Sequence, residues 1–406
     1  MKIILNKKLT CNQLVDFAFI LFFCSGLIRK ILAPVLGEGD IAKIVAVIII
    51  YMPLLLVVIL NPEKYIKMDA ICLPVFIGLF FLVTLFWHPE YEYFYTRETY
   101  GVWSYVMIPY KGIYAYLYIR LMDTPERLER NLRISGWLMF IDFTYQLYRA
   151  LNRGFWYGVS FSEANAEMSY SVSFGYEVLL FALIFLYAAL KYRRKSDIIA
   201  SVISITMILI GGSRGSVLFI AIFLLLYIVK EISETKHKLA LICLLTTGFG
   251  ALYLVYKPLL LFASKFISRM GFSSRFINSF INGTITADSG RNIIWDVAVK
   301  MIKDNPFGYG AMGSRFKLTS LVDPGYPHSL ILEVLIDYGI FIGTILLIIY
   351  FVKVISLVMG ETEWSGVALP VFCTSCCLFL SLTYWNYPAF WMMIGLIVNN
   401  AIKTKR

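Results

Sequence analysis

Long apolar runs separated by short polar stretches repeat along the chain, at 11–28, 42–60, 70–87, 102–121, 134–151, 170–190, 197–211, 216–231, 238–256, 329–353, 366–384 and 388–402. A helix needs about 20 apolar residues to cross a bilayer, so the pattern predicts an all-α, polytopic transmembrane helix bundle of about twelve spans. One long segment, residues 257–327, lies outside the runs and is expected as a large, partly helical loop between spans nine and ten. No internal repeat divides the chain, which reads as a single polytopic membrane domain, 1–406, with that loop inserted in it. An insertion this late argues against a transporter built from two equal halves, whose long connection would fall near the middle.

The runs at 197–211 and 216–231 are unusually short. At 1.5 Å per residue each reaches roughly 22 Å, less than the hydrocarbon core of about 30 Å. Between them stands Gly211-Gly212-Ser213-Arg214-Gly215. The expected geometry is a helix pair meeting below the outer surface with Arg214 at its sunken tip, where the second helix offers unpaired N–H groups suited to phosphate. The plain alternative is a tight hairpin whose arginine snorkels to lipid headgroups.

Inside the loop, Asp288-Ser289-Gly290 reads as a helix start. Ile294, Val297, Ala298, Met301 and Ile302 recur at helical spacing, and Asp304-Asn305-Pro306 ends the run. Arg291 falls in the first turn, where the helix dipole disfavours a cation, so it either has an anionic partner or reaches away; a solvated surface arginine is the bland alternative. A turn with Gly308, Gly310 and Gly313 follows. Pro327 then leads to His328, at the edge of the next apolar run.

Composition removes the soluble classes. With 59% hydrophobic and 16% charged residues over 406 positions, the chain is too apolar for a soluble globular protein. The net charge of +11 comes from cations flanking the apolar runs, which argues for membrane topology and against nucleic acid as a partner. Lys2, Lys7 and Lys8 precede a first run with no small-residue cleavage site behind it, so that run reads as a retained span. With the N-terminus inside, inner segments carry 20 Lys and Arg and short outer loops 7. Both termini are therefore expected in the cytoplasm, with the 257–327 loop and His328 extracytoplasmic. All seven cysteines lie in or beside the runs, which does not suit a disulfide framework. Cys373, Cys376 and Cys377 share a helical face without a nearby histidine or carboxylate, so helix packing is expected there and no metal site.

Several polar residues within runs have two readings. Lys111 and Asp142 fall near the middle of sequential, antiparallel runs and could pair, either as a functional intramembrane site or as a structural ion pair. Glu333 and Asp337 share a face, but they are turned from His328 by about 140° and about 180° at 100° per residue, so neither is expected to orient it. The 154–170 loop sets Phe155, Trp156 and Tyr157 near Glu163, Asn165 and Glu167, which suits a sugar ring and equally an interfacial aromatic belt. Tyr91, Tyr93, Phe94, Tyr95 and Arg97 after His88 admit the same two readings. His237, between Lys236 and Lys238, reads as a solvated loop residue.

In order along the chain stand Gly212-Ser213-Arg214-Gly215, Arg291 with Trp295, Asn305-Pro306-Phe307-Gly308-Tyr309-Gly310, and His328-Ser329 followed by Gly339 and Gly343. Across about a third of the chain this set resembles the O-antigen polymerase and O-antigen ligase superfamily of bacterial envelope glycan transferases. One departure is that Gly339 and Gly343 are four apart, where ligases usually have two glycine-like positions three apart.

The resemblance implies a metal-independent membrane glycosyltransferase of the cytoplasmic (inner) membrane, with no cofactor. Its substrate would be an undecaprenyl-diphosphate-linked oligosaccharide, with membrane lipid around it and a chain-length regulator or flippase as candidate protein partner. In that reading Arg214 and Arg291 clamp the diphosphate, since arginine stays charged and offers forked donors. His328 takes a proton from the acceptor hydroxyl. Trp295, Glu163, Asn165 and Arg315 are the further substrate-binding candidates. A polymerase would join O-antigen or capsule repeat units on their lipid carrier, whereas a ligase would hand the chain to lipid A-core. The altered glycine spacing and the 27 Tyr and 31 Phe tilt the reading toward polymerase. A non-catalytic lipid-linked glycan flippase or transporter, the third reading, would need neither His328 nor the glycine turn.

Overall fold

The computed structural model describes every residue except 1–9, 38, 99, 159–165, 169, 236–246, 248–256, 259, 263, 266, 270–273, 284–290, 322–324 and 405–406. Helices make up most of it, as expected; the small sheet among the described residues pairs Trp156–Gly158 antiparallel with Ala166–Met168. Among the described residues five helices are long and apolar enough to cross a membrane: Asp40–Leu60, Met68–Trp87, Val172–Tyr192, Arg214–Ser233 and Leu330–Met359. A sixth span arises if Cys11–Phe23 and Ser25–Leu36, bent by 72°, act as one.

The remaining expected runs take other forms. Residues 134–151 lie inside the longer helix Pro125–Arg153, and Lys195–Gly211 and Pro388–Thr404 are 17 residues each. Nearly all of 238–256 lies outside the described residues. Two runs are not continuous helices. Over 102–121 a π-helical turn, Val102–Val106, is followed by Pro109 and by Gly112 at φ 54°, and α-helix resumes only at Tyr114–Arg120. Over 366–384 the helix stops at Ser375, makes one 3-10 turn to Phe379, and gives way to an irregular strap before Pro388.

Val172–Tyr192 is the central helix. Of its most apolar window 78% is buried, against 17–22% for the other four long helices, which turn residues such as Ile44, Phe86, Leu225 and Ile348 outward. Such apolar outer faces suit a lipid solvent, where backbone groups must be paired internally. Ion pairs tie together the segments expected on the cytoplasmic side. Arg127 and Arg130 hold Asp16 at 2.5 and 2.7 Å, Arg133 forks onto Asp197, and Arg120 bonds Asp69 and Asn399.

The glycine turn and the helix after His328 interlock through their backbones. Gly339 breaks the Leu330–Met359 helix at φ 76°, ψ 170°, a region essentially open to glycine alone. The carbonyls freed at the break are not wasted, since Tyr309 N–H donates to Ile336 at 2.8 Å and Gly310 N–H to Asp337 at 3.0 Å, while Ile340 N–H donates back to Pro306 at 2.8 Å. A Cβ on Gly339 would stand 2.5 Å from the Phe307 carbonyl carbon, and one on Gly308 2.5 Å from the Gly339 nitrogen. Gly339→Ala should therefore destabilise the protein by about 1–3 kcal/mol from backbone strain alone. Gly78→Ala, where a Cβ meets nothing within 4 Å, is the control. Thermal unfolding in detergent that shows equal melting for the two variants would refute the interlock.

Candidate functional site

The helix Arg291–Asp304 forms where the apolar spacing predicts it, burying Ile294, Ala298, Met301 and Ile302 against Leu318 and Ile336. Arg291 opens this helix, and its Nη2 donates to Ser381 Oγ at 3.1 Å. One turn later Trp295 donates its indole N–H to the Pro327 carbonyl at 2.9 Å, so the same helix grips the residue that precedes His328.

His328 has φ 52°, a left-handed conformation that a residue bearing a Cβ adopts at a cost. Its Nδ1 lies 3.0 Å from the Ser381 carbonyl oxygen. A carbonyl only accepts, so Nδ1 carries the proton and neutral imidazole presents its lone pair at Nε2. Tyr326 donates to the same carbonyl at 3.0 Å and packs its ring 4.3 Å from the imidazole. Burial pushes the His328 pKa below 6.5; the Ser381 carbonyl pulls it up and the neighbouring Arg291 charge pushes it down again. The net effect favours a neutral, proton-accepting ring.

Arg214 begins the helix Arg214–Glu234, directly after Gly212 caps the preceding helix at φ 71° and Ser213 takes the N-cap position. The turn packs against protein, with Ser213 and Ser216 buried and Arg214 half-buried, but the helix that follows runs 21 residues and is long enough to cross a membrane, not the short arm expected from the 216–231 run. Gly215 packs so tightly on Tyr176 that a Cβ would overlap the tyrosine hydroxyl. Tyr176 in turn interacts with Ser381 and stands in the field of Arg291. The start of the Arg214 helix thus joins, through Tyr176 and Ser381, the cluster that holds Arg291 and His328.

Arg315 is only 2% exposed. It lies over the Tyr105 ring at 5.7 Å, and its Nη1 and Nη2 have no hydrogen-bond partner among the described residues. Glu333 accepts from Thr383 Oγ1 at 2.5 Å, and Asp337 from Tyr384 OH at 2.8 Å and Trp385 Nε1 at 3.0 Å. Neither acid bonds His328, as expected, although the helical angle is not the reason, since His328 stands before the helix that begins at Leu330. Both instead anchor the strap that carries Ser381. Sequence reasoning missed Ser381; the polar string Ser381-Leu382-Thr383-Tyr384-Trp385-Asn386 inside an apolar run, closed by Pro388, was the available signal.

Other expectations resolve differently. Glu163 and Asn165, with Asp288 and His237, lie outside the described residues. Trp156 is buried against Phe174, ring centroids 4.8 Å apart, and Tyr95 is buried, donating to the Ala311 carbonyl, so these two aromatics are structural; Tyr93 is exposed. Lys111 does not pair with Asp142. The broken backbone over 102–113 removes the helical register that would have aligned them, and Asp142 takes Lys30 at 2.5 Å instead. Cys373, Cys376 and Cys377 are buried free thiols in the core.

No curated protein and no solved structure matches the chain. Residues 199–348 match the family model described as O-Antigen ligase. That stretch holds Arg214, Arg291, Trp295, the glycine turn and His328, and it supports the chain's place, as a multi-pass membrane protein, in the O-antigen polymerase and ligase superfamily.

Proposed function

We propose that the chain transfers a glycan from undecaprenyl diphosphate to a sugar hydroxyl on the outer side of the cytoplasmic membrane, polymerising O-antigen or capsule repeat units. The observation that carries this reading is that one residue, Ser381, holds both Arg291 and His328 while Nε2 of His328 has no hydrogen bond among the described residues. A base and a permanent cation are thereby fixed side by side.

In the transfer, Nε2 accepts the proton of the acceptor hydroxyl as its oxygen bonds to the sugar C1. The bond from C1 to the diphosphate oxygen breaks, the electron pair leaves with the lipid diphosphate, and C1 inverts. Arg214 and Arg291 stabilise the charge that grows on the departing oxygen, the task a divalent cation would otherwise perform. Trp295 positions the helix of Arg291 against Pro327, and His328 passes its proton to solvent before the next cycle.

Ligation to lipid A-core is the second reading, favoured by the description of the matching family. Purified protein given lipid-linked repeat units alone decides between them. A ladder of chain lengths is expected for a polymerase; product only after lipid A-core is added would assign the ligase, and movement of lipid between leaflets without new bonds would assign a flippase. Because His328 is held below 6.5, kcat/KM should be flat around neutrality and fall only as the pH drops through that lowered value. An acid limb centred above pH 7 would exclude His328 as the base.

A further inference from the structure

A cavity of about 660 Å³ opens beside the site, between the Ser25–Leu36 and Asp40–Leu60 helices and the central Val172–Tyr192 helix. Its lining carries four cations, Arg29, Lys30, Lys43 and Lys111, and two carboxylates, Asp142 and Glu177. Lys30 is held by Asp142 at 2.5 Å, and Lys43 meets Asp40 in an exposed pair at 2.9 Å, a kind worth little. Arg29 lies against the Tyr110 ring at 5.1 Å. Lys111 is exposed, and its side chain lines the cavity. It makes no side-chain hydrogen bond or ion pair among the described residues; Glu177 attracts it and Arg29 repels it.

Arg29 and Lys111 repel one another across the lining, where Glu177 is the one carboxylate not already held by a lysine, and an anion between them offsets that repulsion. The anion's source is indicated by the walls. Phe22, Phe23 and Phe181 line the interior, and beside the Ala33 and Ala42 lining the outward residues Val35 and Ile41 are 82% and 65% exposed, an apolar rim through which a lipid can enter sideways. With Lys30 on Asp142 and Lys43 on Asp40, Arg29 and Lys111 are the two lining cations in no ion pair among the described residues, and two cations can each meet one phosphate of a diphosphate diester, where an ordinary phospholipid offers a single phosphate. The far wall is shared with the site: Tyr176 and Thr383 line the cavity, and Tyr176 also reaches Ser381.

We infer that this cavity is a second anionic-headgroup site, taking the diphosphate of a second lipid-linked glycan, with Arg29 and Lys111 as its grips. This rests on the proposed transfer, and it gives the acceptor its own lipid site, separate from the Arg214 and Arg291 clamp. Tyr176 and Thr383 form the wall over which the acceptor sugar reaches Nε2 of His328.

The test uses full-length protein in phosphatidylcholine nanodiscs with farnesyl diphosphate as the probe, read by binding isotherm and stoichiometry. Wild type should bind two equivalents. Arg29→Gln with Lys111→Gln should weaken one of them by about ten- to hundredfold, the worth of one or two charge-assisted contacts, and leave the other. Lys111→Arg, which keeps the charge, should bind as wild type and shows that the cavity still folds. One equivalent alone, lost in Arg214→Gln or Arg291→Gln and untouched in the Arg29 and Lys111 variant, would overturn the cavity site and leave the transfer reading standing. One equivalent lost only in the cavity variant would support this site and remove the clamp. Displacement of the probe by phosphatidylglycerol at equal mole fraction would make the cavity a general phospholipid site, which also overturns the proposal.

Discussion

His328→Ala should lower glycan transfer by roughly 10²–10⁴-fold, the usual contribution of a positioned general base, while the protein stays inserted and abundant. The ring is oriented for that role: Nδ1 is committed to the Ser381 carbonyl, Tyr326 packs on one face, and Nε2 is left as the proton acceptor. The position is also a backbone site, because φ is 52°, and a loss in the alanine variant could come from the turn. His328→Asn separates the two effects, since asparagine tolerates the left-handed region several-fold better than most residues and has no basic nitrogen. Both variants should lose turnover with little change in donor KM. Chain formation near the wild-type rate in either, at normal protein level, would remove the histidine from the mechanism and return the role of base to a carboxylate such as Glu163, Glu167 or Asp288.

The parts of this site that could be read from sequence are those set by short-range rules. The Arg291–Asp304 helix declared itself through apolar spacing and through Pro306 after its end, and Arg214 through glycines between two short runs. What brings them together was not legible, because it is long-range. Ser381 is 90 residues from Arg291 and 53 from His328, and its strap was hidden in a run apolar enough to pass for a span. In the sequence Gly339 and Gly343 stand only as a family signature with altered spacing. Their physical reason is local: Gly339 receives the backbone of the 305–310 turn, and a Cβ on Gly343 would press against the Val334 carbonyl oxygen at 3.0 Å. Lys111 was misplaced for the opposite cause, a helix assumed where Gly112 and the π turn break it.

Replacing Arg291 by Gln should cost about 10²–10³ in kcat, the loss seen when one preorganised donor to a developing oxyanion is removed. Glutamine is uncharged and ends two bonds short of Nη2, so the variant removes the charge together with the Ser381 contact. Arg291→Lys restores the charge as a single point without the planar fork and should recover only part of the rate. Arg214→Gln should weaken donor binding as well as turnover, because it sits where the first turn of its helix also offers backbone N–H groups to phosphate. If both arginines grip one diphosphate, their effects belong to a single interaction and should not add: the double variant should lose clearly less than the product of the two single losses. That non-additivity is the measurement that matters, since Tyr176 and Ser381 bring the two helices together without obliging both guanidinium groups to meet the same ligand. Losses that multiply cleanly across the kcat/KM cycle would mean two independent contacts, and would leave Arg291 with His328 as the reacting centre and Arg214 as an anchor for some other part of the lipid-linked chain.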